Sequence, residues 1–344
     1  MELMRVITAA MSQPWAILPH TGAAIWNVLC RRASGVRLAD DEVVAIVAAR
    51  PAHATHSATP QAIAVIPVMG VIAHRAAMVE GVSGPRGTGT DALTQQFRQA
   101  LLDPDVGAIV FDVDSPGGGV FGVPELAQEI REARGRKPII AVANAMAASA
   151  AYWIASQADE LVVTPSGEVG SIGVYAMHED WSKWADQEGI ATTFVYAGAF
   201  KVEGHPFAPL SDEARAKMQD DVDGYYEQFT SAVARGRGVA RSVARSEAFG
   251  QGRMFLAENA VARGLADRVA TLDDVIVELA KGTWERPARR SEALIDEPAP
   301  TVVTDVVVDG VVVGVDIIAD VSANDAAVAR VERRRRALAY EALR

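Results

Sequence analysis

Between Ala62 and Ala270, short apolar runs rich in β-branched residues alternate with segments whose apolar residues recur at helical spacing. The apolar runs are IAVIPVMGVI, GAIVFDV, PIIAVAN and ELVVT, and the segments between them include DALTQQFRQALLD and residues 124–134. Such alternation is typical of α/β proteins, because parallel strands need a crossover between them, which is usually a helix. We therefore expect an α/β fold with a largely parallel sheet that ends near residue 280.

The later part of this region predicts one more strand and a long helix. The run TTFVYAG (192–198) has the composition of a strand. Ser211 is a good N-cap, because Asp212 and Glu213 would follow it in the first helical turn. A helix over 211–234 would then carry an apolar stripe on one face, formed by Ala214, Met218, Tyr225, Phe229 and Val233.

The two ends of the chain differ from this region in composition. We expect an N-terminal arm over 1–60, with helices at about 21–32 and 40–49, and a main domain over 61–280. A linker punctuated by proline, 281–300, precedes a tail over 301–344. The tail is predicted to contain a short β segment with a turn at Asp309–Gly310, followed by a basic helix.

Charge and cysteine content exclude several classes of protein. The formal net charge of −11 does not favour binding to nucleic acid or to anionic membranes. The single cysteine, Cys30, cannot form an internal disulfide. The apolar stretch from Trp15 to Cys30 contains Pro19, His20 and Asn27 and is too short to span a bilayer. We expect a soluble cytoplasmic protein with no membrane anchor and no nucleic-acid partner.

Three consecutive glycines follow one of the predicted strands, in the segment DSPGGG (114–119). Glycines allow backbone N–H groups to approach a ligand closely and to point at developing negative charge. A plain turn would need one glycine, and a phosphate loop is a further alternative, although neither GxxxxGKS/T nor GxGxxG occurs here. These residues alone leave an oxyanion site, another ligand site and a structural turn open.

A serine, Ser149, opens a predicted helix within a tract of small residues, ANAMAASAAYWIAS (143–156). Its hydroxyl would lie at the positive end of that helix, where an oxyanion is favoured. The small neighbours would leave room for a peptide. The alternative is an ordinary N-cap serine, which is the more common role for this residue type at a helix start.

One lysine, Lys201, lies among apolar residues just after the predicted strand TTFVYAG. An ordinary lysine has a pKa of about 10.4 and is almost fully charged near neutral pH, so it is a poor base. Burial among Phe200, Val202 and Phe207 would favour the neutral form. The alternative is a solvated loop lysine, as most lysines are.

Taken together, these segments resemble the S49 peptidase family over about residues 60–270. The family's oxyanion segment is similar to DSPGGG, and its nucleophile segment is similar to ANAMAASAAYWIAS. A further signature, GSIGV, stands at 170–174, and the lysine segment is similar to YAGAFKVEGHPFAPL (196–210). The resemblance is closest to the phage branch, the capsid-assembly proteases. It implies a ClpP/crotonase-type spiral of ββα units with a helical extension for oligomerisation.

The resemblance also implies roles for individual residues. Ser149 would be the nucleophile of a Ser–Lys dyad, Lys201 its general base, and Ser171 the residue that orients the lysine. The N–H groups of Gly118 and Ala150 would form the oxyanion hole.

Gly117 is a second choice for the oxyanion hole. No cofactor and no metal ion is implied.

In the phage branch such a peptidase matures the prohead, so the resemblance implies capsid, portal or scaffold proteins as substrates or partners. It also implies a homo-oligomer, with a ring expected. The alternatives are a soluble bacterial S49 peptidase of the signal-peptide-peptidase type and a capsid scaffold component without catalysis. Acyl-CoA enzymes of the crotonase type need neither Ser149 nor Lys201. A Ser-His-Asp site of the ClpP type would place a histidine where this chain has Val174, and the nearby histidines are His178 and His205.

Overall fold

The computed structural model describes residues 14–23, 26, 62–75, 87–287, 304–308 and 311–315. The chain divides into two units, Met1–Arg290 and Ser291–Arg344. The helices expected at 21–32 and 40–49, and the basic helix expected in the tail, lie largely or wholly outside the described residues.

The strands of the first unit are, in chain order, β1 (Trp15–Ile17), β2 (Ala62–Met69), β3 (Ile72–Ala73), β4 (Thr88–Gly89), β5 (Val106–Ser115), β6 (Gly117–Gly119), β7 (Ile139–Ala148), β8 (Glu160–Val163), β9 (Glu168–Gly170), β10 (Met254–Leu256) and β11 (Arg268–Val269). Its helices are α1 (Thr90–Leu102), α2 (Val123–Glu132), α3 (Ala150–Ala155), α4 (Ser182–Gln187), α5 (Asp212–Arg237), α6 (Arg241–Ala244), α7 (Ala257–Ala262) and α8 (Leu272–Lys281).

A large sheet joins β2, β5, β7, β8, β9, β10 and β11, and its strand pairs are parallel except for β9 with β10. The expected α/β class with a largely parallel sheet is therefore confirmed. A smaller sheet has the order β1-β6-β3-β4. The segments β2-β3-β4-α1 and β5-β6-α2 repeat one pattern, in which a long strand of the large sheet is followed by short strand structure in the small sheet and then by a helix. This pattern is the ββα unit expected from the resemblance.

The large sheet is covered on both faces. Along β5, Ile109, Phe111 and Val113 join the main core, whereas Val110 packs with Val275 of α8 on the opposite face. This arrangement explains why the strands are almost continuously apolar in sequence. Successive side chains of such a strand point to opposite faces of the sheet, and both faces are buried.

The long helix α5 begins as expected, because the Ser211 hydroxyl accepts a hydrogen bond from the Ala214 N–H at 3.1 Å. Its last residue is Arg237, three residues after the predicted end, and Gly238, with a φ of 66°, caps it. From 215 to 224 its residues are exposed or half-buried, and from Phe229 to Ala234 they are all buried. Among the described residues, the second half of this helix packs more closely on the rest of the unit than residues 215–224 do.

Two contacts tie this inner half of α5 to α3. The rings of Trp153 and Phe229 stack with their centroids 4.6 Å apart. The Arg134 guanidinium donates hydrogen bonds to three carbonyl oxygens at the C-terminal end of α3, on residues 156–158, and to the Gly236 carbonyl oxygen of α5. One arginine therefore satisfies carbonyl groups at the ends of both helices.

The prediction of a strand over TTFVYAG (192–198) is wrong for the single chain, where these residues follow an irregular path.

In the second unit, β12 (Thr304–Val308) and β13 (Val311–Val315) pair antiparallel, as the tail sequence predicts. None of the helices in the described part of the chain is long and apolar enough to cross a membrane.

Candidate active site

Ser149 has an unusual backbone conformation at the junction of β7 and α3. Its φ of 54° and ψ of −116° lie outside the regions that side-chain-bearing residues normally adopt. Such strain costs on the order of 1–3 kcal/mol and persists where the surrounding structure enforces it, often at functional sites. The side chain makes no capping hydrogen bond, and its Oγ donates instead to the Gly173 carbonyl oxygen at 3.4 Å. Ser149 is therefore not an ordinary N-cap serine.

The GSIGV segment wraps around this serine. The Ser149 N–H donates to the Gly170 carbonyl oxygen at 2.9 Å, and its hydroxyl donates to the carbonyl of Gly173. Between them, Ser171 is nearly buried, has a φ of 54° and donates its N–H to the Arg253 carbonyl oxygen at 2.8 Å. The residue expected to orient the lysine thus lies in the loop that encloses the serine.

The glycine strand β6 lies directly beside Ser149. A Cβ on Gly117 would be 3.0 Å from the Ser149 Cβ, and Gly117 itself has a φ of 94°. Its N–H donates to the Ser115 Oγ at 3.2 Å, and that hydroxyl donates to the Gly70 carbonyl oxygen at 2.6 Å. Because the Gly117 N–H is bonded to the Ser115 side chain of its own loop, Gly118 is the better candidate for a donor toward a peptide that lies along β6. Sequence analysis did not identify the supporting role of Ser115.

Replacing Gly118 with alanine is expected to destabilise the protein. The new Cβ would overlap the backbone of Ile72 in β3, which has no room to move within the small sheet. We expect the free energy of unfolding to fall by roughly 2 kcal/mol or more, as overpacking of a rigid site does. Chemical denaturation measures this change.

Gly224→Ala is the matched control, since a Cβ there meets no atom within 4 Å and the residue lies inside α5. This change should raise the stability by up to about 1 kcal/mol through helix propensity. Equal stability of the two variants would contradict the close packing of Gly118 against Ile72.

The other edge of β6 is occupied by β1, a segment that sequence analysis did not predict as a strand. The two pair antiparallel, with Ala16 opposite Gly118. Trp15 exchanges two backbone hydrogen bonds with Tyr175, at 2.8 and 3.0 Å. β1 therefore lies between the glycine strand and the residues that follow GSIGV. Its three residues before Pro19 are too few to reveal a strand by alternation.

Lys201 lies in the long loop between α4 and α5, and its side chain is exposed. Among the residues that the structure describes, Ser149 makes no hydrogen bond to Lys201, and the Lys201 Nζ has no hydrogen-bond partner. Phe200 is 59% exposed, and Val202 and Phe207 are only half-buried. The described residues of this chain thus do not form the buried apolar environment expected around the lysine.

The lysine loop is nevertheless fixed at its base. The Trp181 N–H donates to the Pro206 carbonyl oxygen at 2.6 Å, and the Phe207 N–H donates to the His205 Nδ1 at 3.1 Å. His178 Nε2 lies 3.2 Å from the His205 carbonyl oxygen. Both histidines therefore support the loop, and neither hydrogen-bonds to Ser149 among the described contacts.

An apolar strip precedes the lysine on the surface. It consists of Ile190, Phe194, Val195, Tyr196 and Phe200, each at least 40% exposed, with Val195 97% exposed. No backbone hydrogen bond joins residues 191–197 to any other described residue. This segment has the side chains and the unpaired backbone groups of a strand that lacks a neighbour.

Burial affects two ionisable groups near the serine. It raises the pKa of the Asp114 carboxyl, in the residue before Ser115, and it raises the pKa of the Tyr175 hydroxyl beside β1. In both cases loss of water disfavours the charged form. Both groups are therefore partly shielded from water.

A strained serine facing a glycine strand in an α/β fold is an arrangement typical of serine hydrolases. Residues 131–285 match the model "Peptidase family S49", and this part of the chain belongs to that family.

Two phage proteins are among the relatives. The chain is 32% identical to "Capsid assembly protease C" of Escherichia phage lambda over 229 residues, which is 67% of this chain and 51% of that protein. It is 32% identical to "Head-tail preconnector protein GP5" of Enterobacteria phage P21 over 296 residues, 81% of this chain and 57% of that protein. The chain thus spans between half and three fifths of the length of these curated relatives.

Solved structures similar to the chain include the 1510-N membrane-bound stomatin-specific protease in complex with a substrate peptide. The TM-score is 0.39 at 17% identity, and the match covers 64% of this chain and 80% of that chain.

Proposed function

We propose that this protein is a serine endopeptidase in which Ser149 is the nucleophile and Lys201 the general base. The observation that carries the proposal is the conformation of Ser149, which is strained, not engaged in capping and enclosed by GSIGV beside the glycine strand. Membership of peptidase family S49 supports the same reaction class.

The proposed reaction is acyl transfer. The Ser149 Oγ attacks the carbonyl carbon of a peptide bond while its proton passes to the neutral amine of Lys201. The N–H groups of Gly118 and Ala150 donate to the oxyanion of the tetrahedral intermediate. The lysine then protonates the leaving amine and later activates the water that hydrolyses the acyl-enzyme. Ser171 is proposed to hold the lysine amine in position.

We propose further that the lysine reaches the serine from a neighbouring copy in a homo-oligomeric ring. Two observations on the described residues support this arrangement: the Lys201 side chain is exposed and makes no hydrogen bond to any of them, and the apolar strip before it is exposed. A neighbouring copy would pair with residues 191–197 and remove water from the lysine, which would favour the neutral form that a base requires.

Subunit mixing tests the shared site. Ser149→Ala and Lys201→Ala subunits, each inactive alone, are exchanged and their mixed oligomers confirmed by native mass spectrometry. At equal mixing about a quarter of the interfaces should combine an intact serine with an intact lysine, because each site draws one residue from each subunit. We expect cleavage of an unfolded substrate such as casein to recover to about that fraction of the wild-type rate.

The matched control mixes Ser149→Ala subunits with Ser149→Ala/Lys201→Ala subunits, which cannot form a complete dyad in any combination. Recovery in this control would reveal contaminating activity. Mixed oligomers of the first pair that stay inert would place both residues in one chain.

The substrates proposed are capsid, portal or scaffold proteins of a phage, cut during prohead maturation in the host cytoplasm. The names of the two phage relatives support this role.

A soluble peptidase of the bacterial signal-peptide-peptidase type is the second candidate, favoured by the 32% identity over 212 residues to "Protease 4" of Salmonella typhi. A non-catalytic scaffold role is not supported by an intact serine in a strained conformation.

A further inference from the structure

The space between β6 and Tyr175 beside Ser149, called the cleft below, is filled by an extended segment of the chain, because β1 is hydrogen-bonded along both of its edges. On one edge the Leu18 N–H donates to the Pro116 carbonyl oxygen at 3.0 Å, and the Val120 N–H donates to the Pro14 carbonyl oxygen at 3.4 Å. On the other edge Trp15 exchanges two hydrogen bonds with Tyr175. Addition of an extended segment to a sheet edge is a general mode of peptide recognition.

The register of this pairing places the carbonyl of Ala16 at the proposed oxyanion hole. Opposed residues of an antiparallel pair alternate between hydrogen-bonded and non-hydrogen-bonded positions. The bonds that join Leu18 to Pro116 and Pro14 to Val120 stand two residues to either side of the pair Ala16–Gly118. That pair is therefore hydrogen-bonded, and the Gly118 N–H points at the Ala16 carbonyl oxygen.

The same carbonyl is close to the nucleophile. The position of a Cβ on Gly117 would lie within 3.0 Å of both the Ala16 carbonyl oxygen and the Ser149 Cβ. These two atoms are therefore separated by no more than twice that distance. A peptide carbonyl next to an oxyanion donor and near the attacking hydroxyl is the arrangement of a bound substrate.

The burial of the Ala16 and Ile17 side chains is consistent with a peptide bound at the oxyanion hole. Ala16 is completely buried, and Ile17 is 2% exposed. The site accommodates a methyl group before the presented bond, in keeping with the small residues that surround Ser149 in sequence. A larger side chain at 16 would need space that the closely packed strand β6 does not offer.

We propose that the Ala16–Ile17 peptide bond is a self-cleavage site, and that β1 closes the cleft until it is cut; this inference rests on the proposed function. The Ser149 Oγ bonds to the Ala16 carbonyl carbon, and its proton passes to the lysine amine. The Ala16–Ile17 C–N bond breaks, and the amine of Ile17 takes the proton. Water then hydrolyses the ester, which frees the carboxylate of Ala16 and restores the serine hydroxyl.

The position of Lys201 determines when β1 can be cut. Lys201 is exposed and makes no hydrogen bond to Ser149, so the chain presents its own peptide bond without the base. Delivery of Lys201 by a neighbouring copy would make this bond the first one cut. Removal of β1 would then open the cleft to other substrates.

N-terminal sequencing and intact-mass measurement of the assembled full-length protein test the proposal. The wild type is expected to begin at Ile17, and so is the control variant Ala16→Gly, which keeps a small residue at the cut. Ala16→Phe and Ser149→Ala are expected to keep the bond uncut. Casein cleavage by the same preparations reports separately on peptidase activity.

Wild-type protein that cuts casein but retains an intact Ala16–Ile17 bond would overturn the self-cleavage proposal and leave the proposed function standing. Protein that cuts neither would refute both. The N-terminus of the wild type decides the question even where Ala16→Phe does not fold.

Discussion

Replacing Ser149 with alanine is expected to abolish proteolysis, with a fall in rate of at least about 10⁴-fold, as loss of the nucleophile does in other serine peptidases. The physical reason is that the variant has no hydroxyl at this position to attack the peptide carbonyl. Among the described residues the other serine with a positive φ is Ser171, which is proposed to orient the lysine. The measurement is mass spectrometry of the products after co-expression with phage capsid, portal and scaffold proteins. Wild type should yield defined fragments, and the variant only intact proteins.

Ser156→Ala is the matched control for Ser149→Ala. Ser156 is also a buried serine, at the opposite end of α3, and its hydroxyl donates to the Trp153 carbonyl oxygen at 3.0 Å. Its loss should lower stability by about 1 kcal/mol and leave the cleavage pattern unchanged. Identical fragments from wild type and Ser149→Ala would remove Ser149 from the mechanism.

Lys201→Arg is expected to be as inactive as Lys201→Ala. Arginine keeps the positive charge but does not deprotonate in proteins, so it cannot accept the serine proton. Since the Lys201 side chain is exposed and has no hydrogen-bond partner among the described residues, neither change should alter the stability of the single chain by more than about 0.5 kcal/mol. Rates of casein cleavage and thermal unfolding of the same preparations test both statements.

Lys183→Arg provides the comparison for Lys201→Arg, because Lys183 is another exposed lysine, on α4. It should retain wild-type activity. If Lys201→Arg kept more than about a tenth of that activity, a general-base role for Lys201 would be excluded, since the rate advantage of a positioned base is about 10²-fold or more.

The fold was predictable from sequence wherever a strand is buried on both faces. Runs such as GAIVFDV and PIIAVAN are apolar throughout because both sides of the sheet are covered, and each became a strand of the large sheet. TTFVYAG has a similar composition but forms no strand, because composition does not say whether a pairing partner exists in the same chain. β1 was not predictable because its own residues carry no strand pattern. Its strand conformation comes from pairing with β6 on one side and with Tyr175 on the other.

The candidate site was predictable only as a set of segments. The glycines and GSIGV identify which loops converge, and the structure brings both to Ser149. The distance from serine to lysine depends on the path of a long loop, and no local pattern encodes that path. The role of Ser115 was not predictable either, because it depends on a hydrogen bond to Gly70, which is 45 residues away in sequence.

Substitutions in the two halves of α5 would have different consequences for the site. Its inner half is joined to the helix that follows the nucleophile through the Trp153–Phe229 stack and through Arg134, so a substitution there would disturb the position of Ser149 as well. The outer turns, over 215–224, have no such connection. Substitutions there could change the surface offered to a neighbouring copy while the chemistry stays unchanged. One helix can therefore accept new outer contacts and still support the serine through its inner half.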